Sequence, residues 1–169
     1  QKYIHKKNEL ALEAVSANKG TNFCVTIAST YNYILPDTYS PYMTVTNFKD
    51  EDLKSKLEAM IREIGFEGIM EIEFLIDQDD KFYFGEINFR NSTWSYAATK
   101  LGMNLPVLFA EGSLAGALPK DARKPIPEGY VAVAELMDFL HRVMKYKMIS
   151  PLKWLRGVLK ADCRYFYNS

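Results

Sequence analysis

The chain has 169 residues, of which 48% are hydrophobic and 25% are charged, enough to bury one substantial core. Its 21 Lys and Arg residues balance its 21 Asp and Glu residues, so no net field attracts nucleic acid. Two cysteines give neither a disulfide framework nor a zinc-ligand spacing, and no apolar run approaches the ~20 residues of a membrane span. We therefore expect a globular cytoplasmic protein, and the lack of an initiator Met indicates a piece of a longer chain.

The first half of the sequence predicts a hairpin, a third strand and a helix. Residues 9–17 and 22–30 read as strands around a tight turn at 18–20, a Tyr- and Pro-rich loop spans 31–40, and a short strand falls within 41–48. Asp50 is a plausible N-cap and Gly65 a plausible end for the helix between them. Its apolar stripe consists of Leu53, Leu57, Met60, Ile61 and Ile64.

The second half predicts short helices and a linker. Residues 96–101 and 105–115 flank Gly102 as helices, and the proline-containing segment 118–129 reads as a linker or surface loop. An amphipathic segment follows at 133–144, and Ser150 with Pro151 opens a helix to about residue 160. Strands and helices are segregated, so we predict an α+β fold with a mainly antiparallel sheet and helices packed on one face.

Residues 68–90 form the most informative segment. Both halves alternate with the period of two of a half-buried strand, interrupted only at 77–80. With Asp79 and Asp80 at the tip, the predicted register pairs Glu73 with Glu86, Glu71 with Asn88, and Leu75 with Phe84. Like charges directly opposite each other are unfavourable by up to ~1 kcal/mol. We therefore predict that this face binds a hard divalent cation.

The letters E-I-E-F-L-I-D followed by F-Y-F-G-E-I-N-F-R resemble the metal-binding hairpin of the ATP-grasp superfamily. The resemblance implies that Glu73, Glu86 and Asn88 hold Mg²⁺, with Mn²⁺ as an alternative, against the phosphates of ATP. It also implies that Arg90 is catalytic and stabilises the transferred phosphoryl group. Mg²⁺ takes near-octahedral oxygen ligation, commonly from one or two carboxylates with phosphates and water, which suits this set.

The beginning of the chain carries a looser match to the same superfamily. The resemblance implies that the backbone of Lys2, Tyr3 and Ile4 meets the adenine edge and that Glu9 bonds the ribose. A frayed polar terminus leading into a strand is the alternative. The match covers residues 1–116, so we predict the C-terminal lobe of an ATP-grasp domain at 1–117 and a linker with a helical extension at 118–169.

The Gly-rich loop and the ATP-binding lysine of the superfamily have no counterpart in this sequence. We therefore expect a fragment that is inactive without the missing N-terminal part of its own chain. The implied reaction of the complete enzyme is ATP-dependent phosphorylation of a small carboxylate, followed by attack of an amine on the acyl phosphate. The closest subgroup is that of amino-acid ligases and carbamoyl-phosphate-synthase-like enzymes, and residues 91–94 are candidate substrate contacts.

Two other interpretations remain open. The hairpin could hold a metal or nucleotide without catalysis, and Glu71 could be either an additional ligand or the partner of a cation. The tail could instead be an interaction module, because residues 142–160 contain six Lys or Arg residues and no acid. In the simplest interpretation of that tail, a solvated basic face accompanies an apolar side that closes the fold.

Overall fold

A seven-stranded sheet organises the protein, whose computed structural model describes residues 3–36 and 39–166. The strands lie in the order β5-β4-β1-β2-β3-β6-β7, and every neighbouring pair is antiparallel except β6 and β7. They are β1 (Asn8–Ala17), β2 (Asn22–Tyr31), β3 (Tyr42–Thr46), β4 (Gly68–Ile76), β5 (Phe82–Asn88), β6 (Val131–Val133) and β7 (Cys163–Arg164).

Five helices accompany the sheet in the described residues. They are α1 (Glu51–Ile64), α2 (Ser95–Lys100), α3 (Leu105–Ala115), α4 (Glu135–Asp138) and α5 (Pro151–Lys160). α4 continues directly into a π-helical segment, Phe139–Lys145. The predicted α+β class and the mainly antiparallel sheet are confirmed. No described helix combines the length and the apolar character that crossing a membrane requires.

Helix α1 begins and ends as its sequence predicts. The side chain of Asp50 accepts a hydrogen bond from the Leu53 backbone N–H at 2.9 Å, which satisfies one of the free donors of the first turn. Gly65 follows the last turn with φ 69°, a left-handed conformation that glycine adopts without a steric cost. Leu57 and Ile61 of this helix are buried against the sheet.

The prediction that helices cover one face of the sheet is wrong, because helices pack on both faces. Successive side chains of β1 point to opposite sides. One side meets α1 and the other meets α2 and α3. The α1 core includes Leu10, Leu12, Ala14, Val25, Leu57, Ile61, Met70 and Ile72. The opposite core includes Ala11, Val15, Ile27, Met43, Val45, Trp94, Ala97, Leu105 and Leu108.

The C-terminal segment joins the same sheet. β6 pairs with β3, and β7 pairs with β6, so residues 118–169 contribute strands as well as helices. The amphipathic segment at 133–144 consists of the end of β6, the short helix α4 and the π-helical segment. The predicted helix from Pro151 is confirmed, with Ser150 capping it. The division of the chain after residue 117 stays a prediction.

A buried carboxylate fastens this segment to the rest of the fold. Asp138, which is inaccessible to solvent, accepts hydrogen bonds from Arg142 at 2.6 Å, from the Trp154 indole N–H at 2.9 Å and from the Tyr33 hydroxyl. The Arg142 guanidinium also lies over the rings of Tyr33 and Tyr42. Buried charges are tolerated only when they are paired and hydrogen-bonded, and Asp138 meets both conditions.

Candidate functional site

The β4–β5 hairpin places its acidic residues as the sequence predicts. Glu73 pairs with Glu86, and Glu71 pairs with Asn88, so these side chains share one face of the sheet. The predicted pairing of Leu75 with Phe84 is wrong, because Leu75 pairs with Tyr83. The register therefore changes by one residue between the tip of the hairpin and its acidic face.

The tip and a bulge explain that change. The tip is a three-residue loop, 78–80, closed by the bond from the Asp77 N–H to the Lys81 carbonyl at 3.1 Å, and Asp80 has φ 62°. A bulge at Gly85 then adds one unpaired residue to β5 and restores the predicted pairing of Glu73. A Cβ atom on Gly85 would lie 3.0 Å from the Glu73 carbonyl oxygen, which explains why glycine suits the bulge.

The two paired glutamates meet at the amide of Asn88. Its Nδ2 donates to Glu73 Oε1 at 2.9 Å and to Glu86 Oε1 at 3.0 Å. Its Oδ1 accepts a longer bond, 3.4 Å, from the guanidinium of Arg90. The structure thus brings together the three predicted metal ligands and the predicted catalytic arginine.

Strand β1 adds two further glutamates to this face. Glu13 pairs with Glu71 across the β1–β4 ladder, and Ala11 pairs with Glu73, which puts Glu9 on the same side. Glu13 is fully buried, and its carboxylate accepts hydrogen bonds from Ser95 Oγ at 2.6 Å and from Ser92 Oγ. It therefore fastens the segment that follows Arg90 to the floor of the site.

Sequence reasoning missed Glu13, although a signal was present. Glu9 and Glu13 are four residues apart on one strand, so a period of two already puts both on a single face. Only the pairing of β1 with β4 shows that this face continues into that of Glu71. That pairing is a long-range contact, which sequence spacing does not encode.

Crowding of carboxylates governs the electrostatics of the site. Burial raises the pKa of Glu13, and burial together with the charge of Glu13 raises the pKa of Glu71. Burial, with the like charges of Glu71, Glu86 and Glu9, raises the pKa of Glu73 to about 7. A bound cation would relieve this repulsion, because it favours the ionised form of each neighbouring carboxylate.

A cleft of about 500 Å³ opens beside these carboxylates. Its lining residues come from β1 and the segment before it, from β2, from the described residues that follow β2, from β4 and from the segment that begins at Arg90: Lys6, Glu9, Leu10, Ala11, Tyr31, Leu35, Pro36, Tyr39, Glu71, Glu73, Arg90, Ser92, Thr93 and Trp94. Three of the four predicted substrate-contact residues, 92–94, therefore border it. Glu86 and Asn88 are not among the lining residues, but both are direct neighbours of Glu73: Glu86 pairs with it across the hairpin, and Asn88 donates a hydrogen bond to it.

The structure separates the predicted adenine segment from this cleft. Glu9 lines the cleft, where its carboxylate pairs with Lys6 and hydrogen-bonds the Tyr31 hydroxyl. Tyr3 and Ile4 instead border a smaller concavity at the hairpin tip, beside Asp77 and Tyr83. Lys2 lies outside the described residues. The nucleotide-binding roles of Lys2, Tyr3, Ile4 and Glu9 stay predictions.

The donor set suits a hard cation after one rearrangement. Within residues 3–36 and 39–166, no three His, Cys, Asp or Glu side chains are grouped as a metal site. The predicted set has two carboxylates and one amide, and the amide N–H donors of Asn88 now point at both carboxylates. Rotation of this amide would turn its oxygen inward, giving three oxygen donors of the kind that Mg²⁺ prefers.

The basic C-terminal tail, for which an interaction module is the alternative interpretation, presents both a basic and an apolar surface. Trp154 and Val158 of α5 pack against the sheet, whereas Leu152 and Leu159 are exposed. The basic residues Lys153, Arg156 and Lys160 lie on the remaining face of the helix. The apolar side of α5 thus closes the fold only in part.

Comparison with models of known protein families and with curated proteins finds no match. Solved structures do match. N5-carboxyaminoimidazole synthetase from Staphylococcus aureus aligns over 89% of this chain and 41% of its own, with a TM-score of 0.61 and 18% identity. Biotin carboxylase from Campylobacter jejuni aligns over 71% of this chain and 28% of its own, with a TM-score of 0.56 and 21% identity.

A third match is L-amino acid ligase from Bacillus licheniformis, with a TM-score of 0.50 and 19% identity over 66% of this chain and 30% of its own. The chain thus spans less than half the length of each of these proteins. All three are ATP-grasp proteins, and their identities to this chain are low enough that the likeness establishes architecture alone. The chain therefore has the architecture of part of an ATP-grasp fold.

Proposed function

We propose that this chain carries the metal- and phosphate-binding half of an ATP- and Mg²⁺-dependent carboxylate–amine ligase. The observation that supports the proposal is the convergence of Glu73, Glu86, Asn88 and Arg90 on one sheet face beside a cleft. The fold of the neighbouring structures is consistent with it. Two further matching structures contain a nucleotide: the Staphylococcus aureus synthetase was also solved with ADP, and the biotin carboxylase domain of 2-oxoglutarate carboxylase from Hydrogenobacter thermophilus was solved with MgADP.

In the proposed mechanism, Glu73, Glu86 and Asn88 hold Mg²⁺, which neutralises phosphate charge when it is bound. Arg90 is exposed, so its guanidinium is available to the phosphoryl group that is transferred. Asn88 orients Arg90 through its Oδ1, and Glu13 holds the 92–95 segment through two serines. These residues bind and position charge, and none of them has to act as a nucleophile.

The proposed reaction has two steps. A carboxylate oxygen of the first substrate attacks the γ-phosphorus of ATP, which gives an acyl phosphate and ADP. An amine then attacks the acyl carbon, a proton leaves the nitrogen, and inorganic phosphate departs as the amide forms. The cleft beside Arg90, bordered by Ser92, Thr93 and Trp94, is the proposed location of the acceptor substrate.

We further propose that this 169-residue chain binds nucleotide weakly and does not turn it over by itself. The hairpin supplies ligands to one side of the phosphates, and the sequence has no Gly-rich cradle for the other side. Glu9 would also have to exchange its contacts with Lys6 and Tyr31 for a ribose hydroxyl. In this proposal, the chain becomes active only together with a further ATP-grasp segment of the same protein.

Phosphate release from ATP tests this function in the longest natural chain that contains this sequence. The assay uses Mg²⁺ and a panel of small carboxylates and amino acids, with Glu86→Gln and the matched variant Asp79→Asn. We expect release that depends on substrate, is lost in Glu86→Gln and is retained in Asp79→Asn. Release that is unaffected by Glu86→Gln would contradict the proposal, and ATP binding without release across the panel would favour a non-catalytic nucleotide-binding module.

A further inference from the structure

A second polar pocket, of about 320 Å³, lies where the β1–β2 turn meets α1 and the loop after α3. Among the described residues, it has no lining residue in common with the cleft beside Glu73. Its lining residues are Gly20, Thr21, Asn22, Phe23, Cys24, Glu58, Arg62, Leu118, Pro119, Lys120, Ala122 and Arg123. Asn22 and Tyr31 are the two ends of β2, so the two cavities lie at opposite ends of that strand.

Three of the lining side chains are cations, and one is an acid. The acid, Glu58, already has a partner, because Lys54 Nζ lies 3.8 Å from its Oε1 within α1. Among the described residues, Arg62, Lys120 and Arg123 make no ion pair with a carboxylate. The pocket therefore has a positive excess that no described side chain neutralises.

The helix end accounts for only one of these cations. Arg62 lies in the last turn of α1, where a positive charge favours the helix dipole. Lys120 and Arg123 come from the loop after α3, so they have no such role at this helix end. Arg123 is also held in place, because its Nη2 donates to the Phe48 carbonyl oxygen.

One wall of the pocket is closely packed. The β1–β2 turn is pressed against α1 so closely that a Cβ on Gly20 would lie 2.4 Å from the Ile61 carbonyl oxygen. Gly20 has φ 74°, and its neighbours Asn18 and Lys19 are also left-handed. On the same wall Cys24 is partly buried, and burial raises the pKa of its thiol.

We propose that this pocket binds a small phosphorylated metabolite through Arg62, Lys120 and Arg123. A guanidinium fork matches two phosphate oxygens at once, and a lysine adds a point charge, so this combination suits a phosphate dianion. Phe23 and Leu118 supply an apolar side for a short carbon skeleton. The proposal does not depend on the proposed ligase function, because no described residue lines both the pocket and the cleft.

The thiol of Cys24 reports on occupancy. Cys163 is fully buried, so a thiol reagent such as DTNB at pH 8 should label Cys24 first, and Cys24→Ser confirms the assignment. We expect inorganic phosphate to slow the labelling of Cys24, whereas chloride and succinate at the same ionic strength leave it unchanged. If chloride slowed the labelling of Cys24 as much as phosphate does, the proposed binding site would be overturned. If succinate slowed it as much, the assignment of the ligand as a phosphate would be overturned.

Charge variants localise the effect. Lys120→Gln should raise the phosphate concentration needed for half-protection about tenfold, because one charge-assisted contact is lost. Lys120 is exposed, so the variant should fold. Lys49→Gln removes an exposed lysine that does not line the pocket, and it should have no effect. If Lys120→Gln and Lys49→Gln needed the same phosphate concentration for half-protection, the proposal would be overturned. Calorimetric titration with phosphate compares the two variants without using the thiol.

Discussion

The crowded carboxylates predict a pH-dependent loss of stability that a cation reverses. Because the pKa of Glu73 is raised to about 7 in the folded protein, the folded state binds a proton more tightly than the unfolded state does. The free energy of unfolding should therefore be highest below the ordinary carboxyl pKa of 4.5 and should fall as the pH rises to 7.

The size of this loss follows from the shift. A rise from 4.5 to about 7 would correspond to about 3 kcal/mol if it were fully expressed. Glu73 is only partly buried, so solvent screening reduces the expected loss to about 1–2 kcal/mol. The pKa of Glu73 is raised first by burial and second by the charge of Glu71. Both causes are present in the wild type, so the loss of stability persists as long as no cation is bound.

Urea denaturation between pH 4.5 and 7.5 in metal-free buffer measures this loss. We compare the wild type with Glu73→Gln, which cannot ionise, and with Asp79→Asn, which removes an exposed carboxylate at the tip of the same hairpin. In Glu73→Gln the decline should be smaller by about 1–2 kcal/mol, and the raised pKa values of Glu13 and Glu71 account for what remains. Asp79→Asn should keep the whole decline, and Mg²⁺ should restore stability only to proteins that retain Glu73. Parallel pH profiles for the wild type and Glu73→Gln would show that the ionisation of Glu73 does not lower the stability of the folded protein.

Three further substitutions probe what holds the site in place. Asp138→Ala leaves Arg142 without its buried partner, so it should cost about 3–5 kcal/mol of unfolding free energy in urea denaturation. Gly85→Val places a Cβ against the β4 backbone at the bulge, so it should lower stability by at least about 1 kcal/mol and weaken Mg²⁺ binding measured by calorimetry. Ser95→Ala removes a donor to buried Glu13, so it should cost about 1–3 kcal/mol, again in urea denaturation.

Each of these substitutions has a matched control. Asp52→Ala breaks an exposed ion pair with Lys56 and should change stability by less than about 0.5 kcal/mol. Ser113→Ala removes an exposed hydroxyl of α3 and should be nearly neutral. Lys81→Val places a β-branched residue at an exposed position of the hairpin away from the bulge, and it should cost less stability than Gly85→Val. If any control cost as much as its partner, the contact assigned to that partner would be contradicted.

Local patterns predicted the elements that form the site. The cap at Asp50, the end of α1 at Gly65 and the strands of the β4–β5 hairpin all depend on residues close in sequence, and the structure contains them. The predicted pairing of Glu73 with Glu86 is confirmed, because two departures from the predicted hairpin cancel each other. The tip has one residue more than the expected loop, and the bulge at Gly85 restores the register.

Long-range contacts could not be predicted in the same way. The burial of Glu13 depends on the pairing of β1 with β4 and on serines some 80 residues away, which local periodicity does not encode. Helices cover both faces because α1 and α3 pack on opposite sides of β1. On the face of β1 that meets α3, small residues make the hydrophobic alternation weak. β6 and β7 have only three and two residues, so neither is long enough to show an alternation.

We propose that the acidic face of the β4–β5 hairpin binds a divalent cation together with the phosphates of a nucleotide. Electron paramagnetic resonance of Mn²⁺ measures this directly in the 169-residue chain, with and without ATP, for the wild type, Glu86→Gln and Asp79→Asn. We expect Mn²⁺ binding that ATP strengthens in the wild type and in Asp79→Asn, and at least about a tenfold loss in Glu86→Gln. Equal Mn²⁺ affinity in Glu86→Gln and the wild type would contradict the claim.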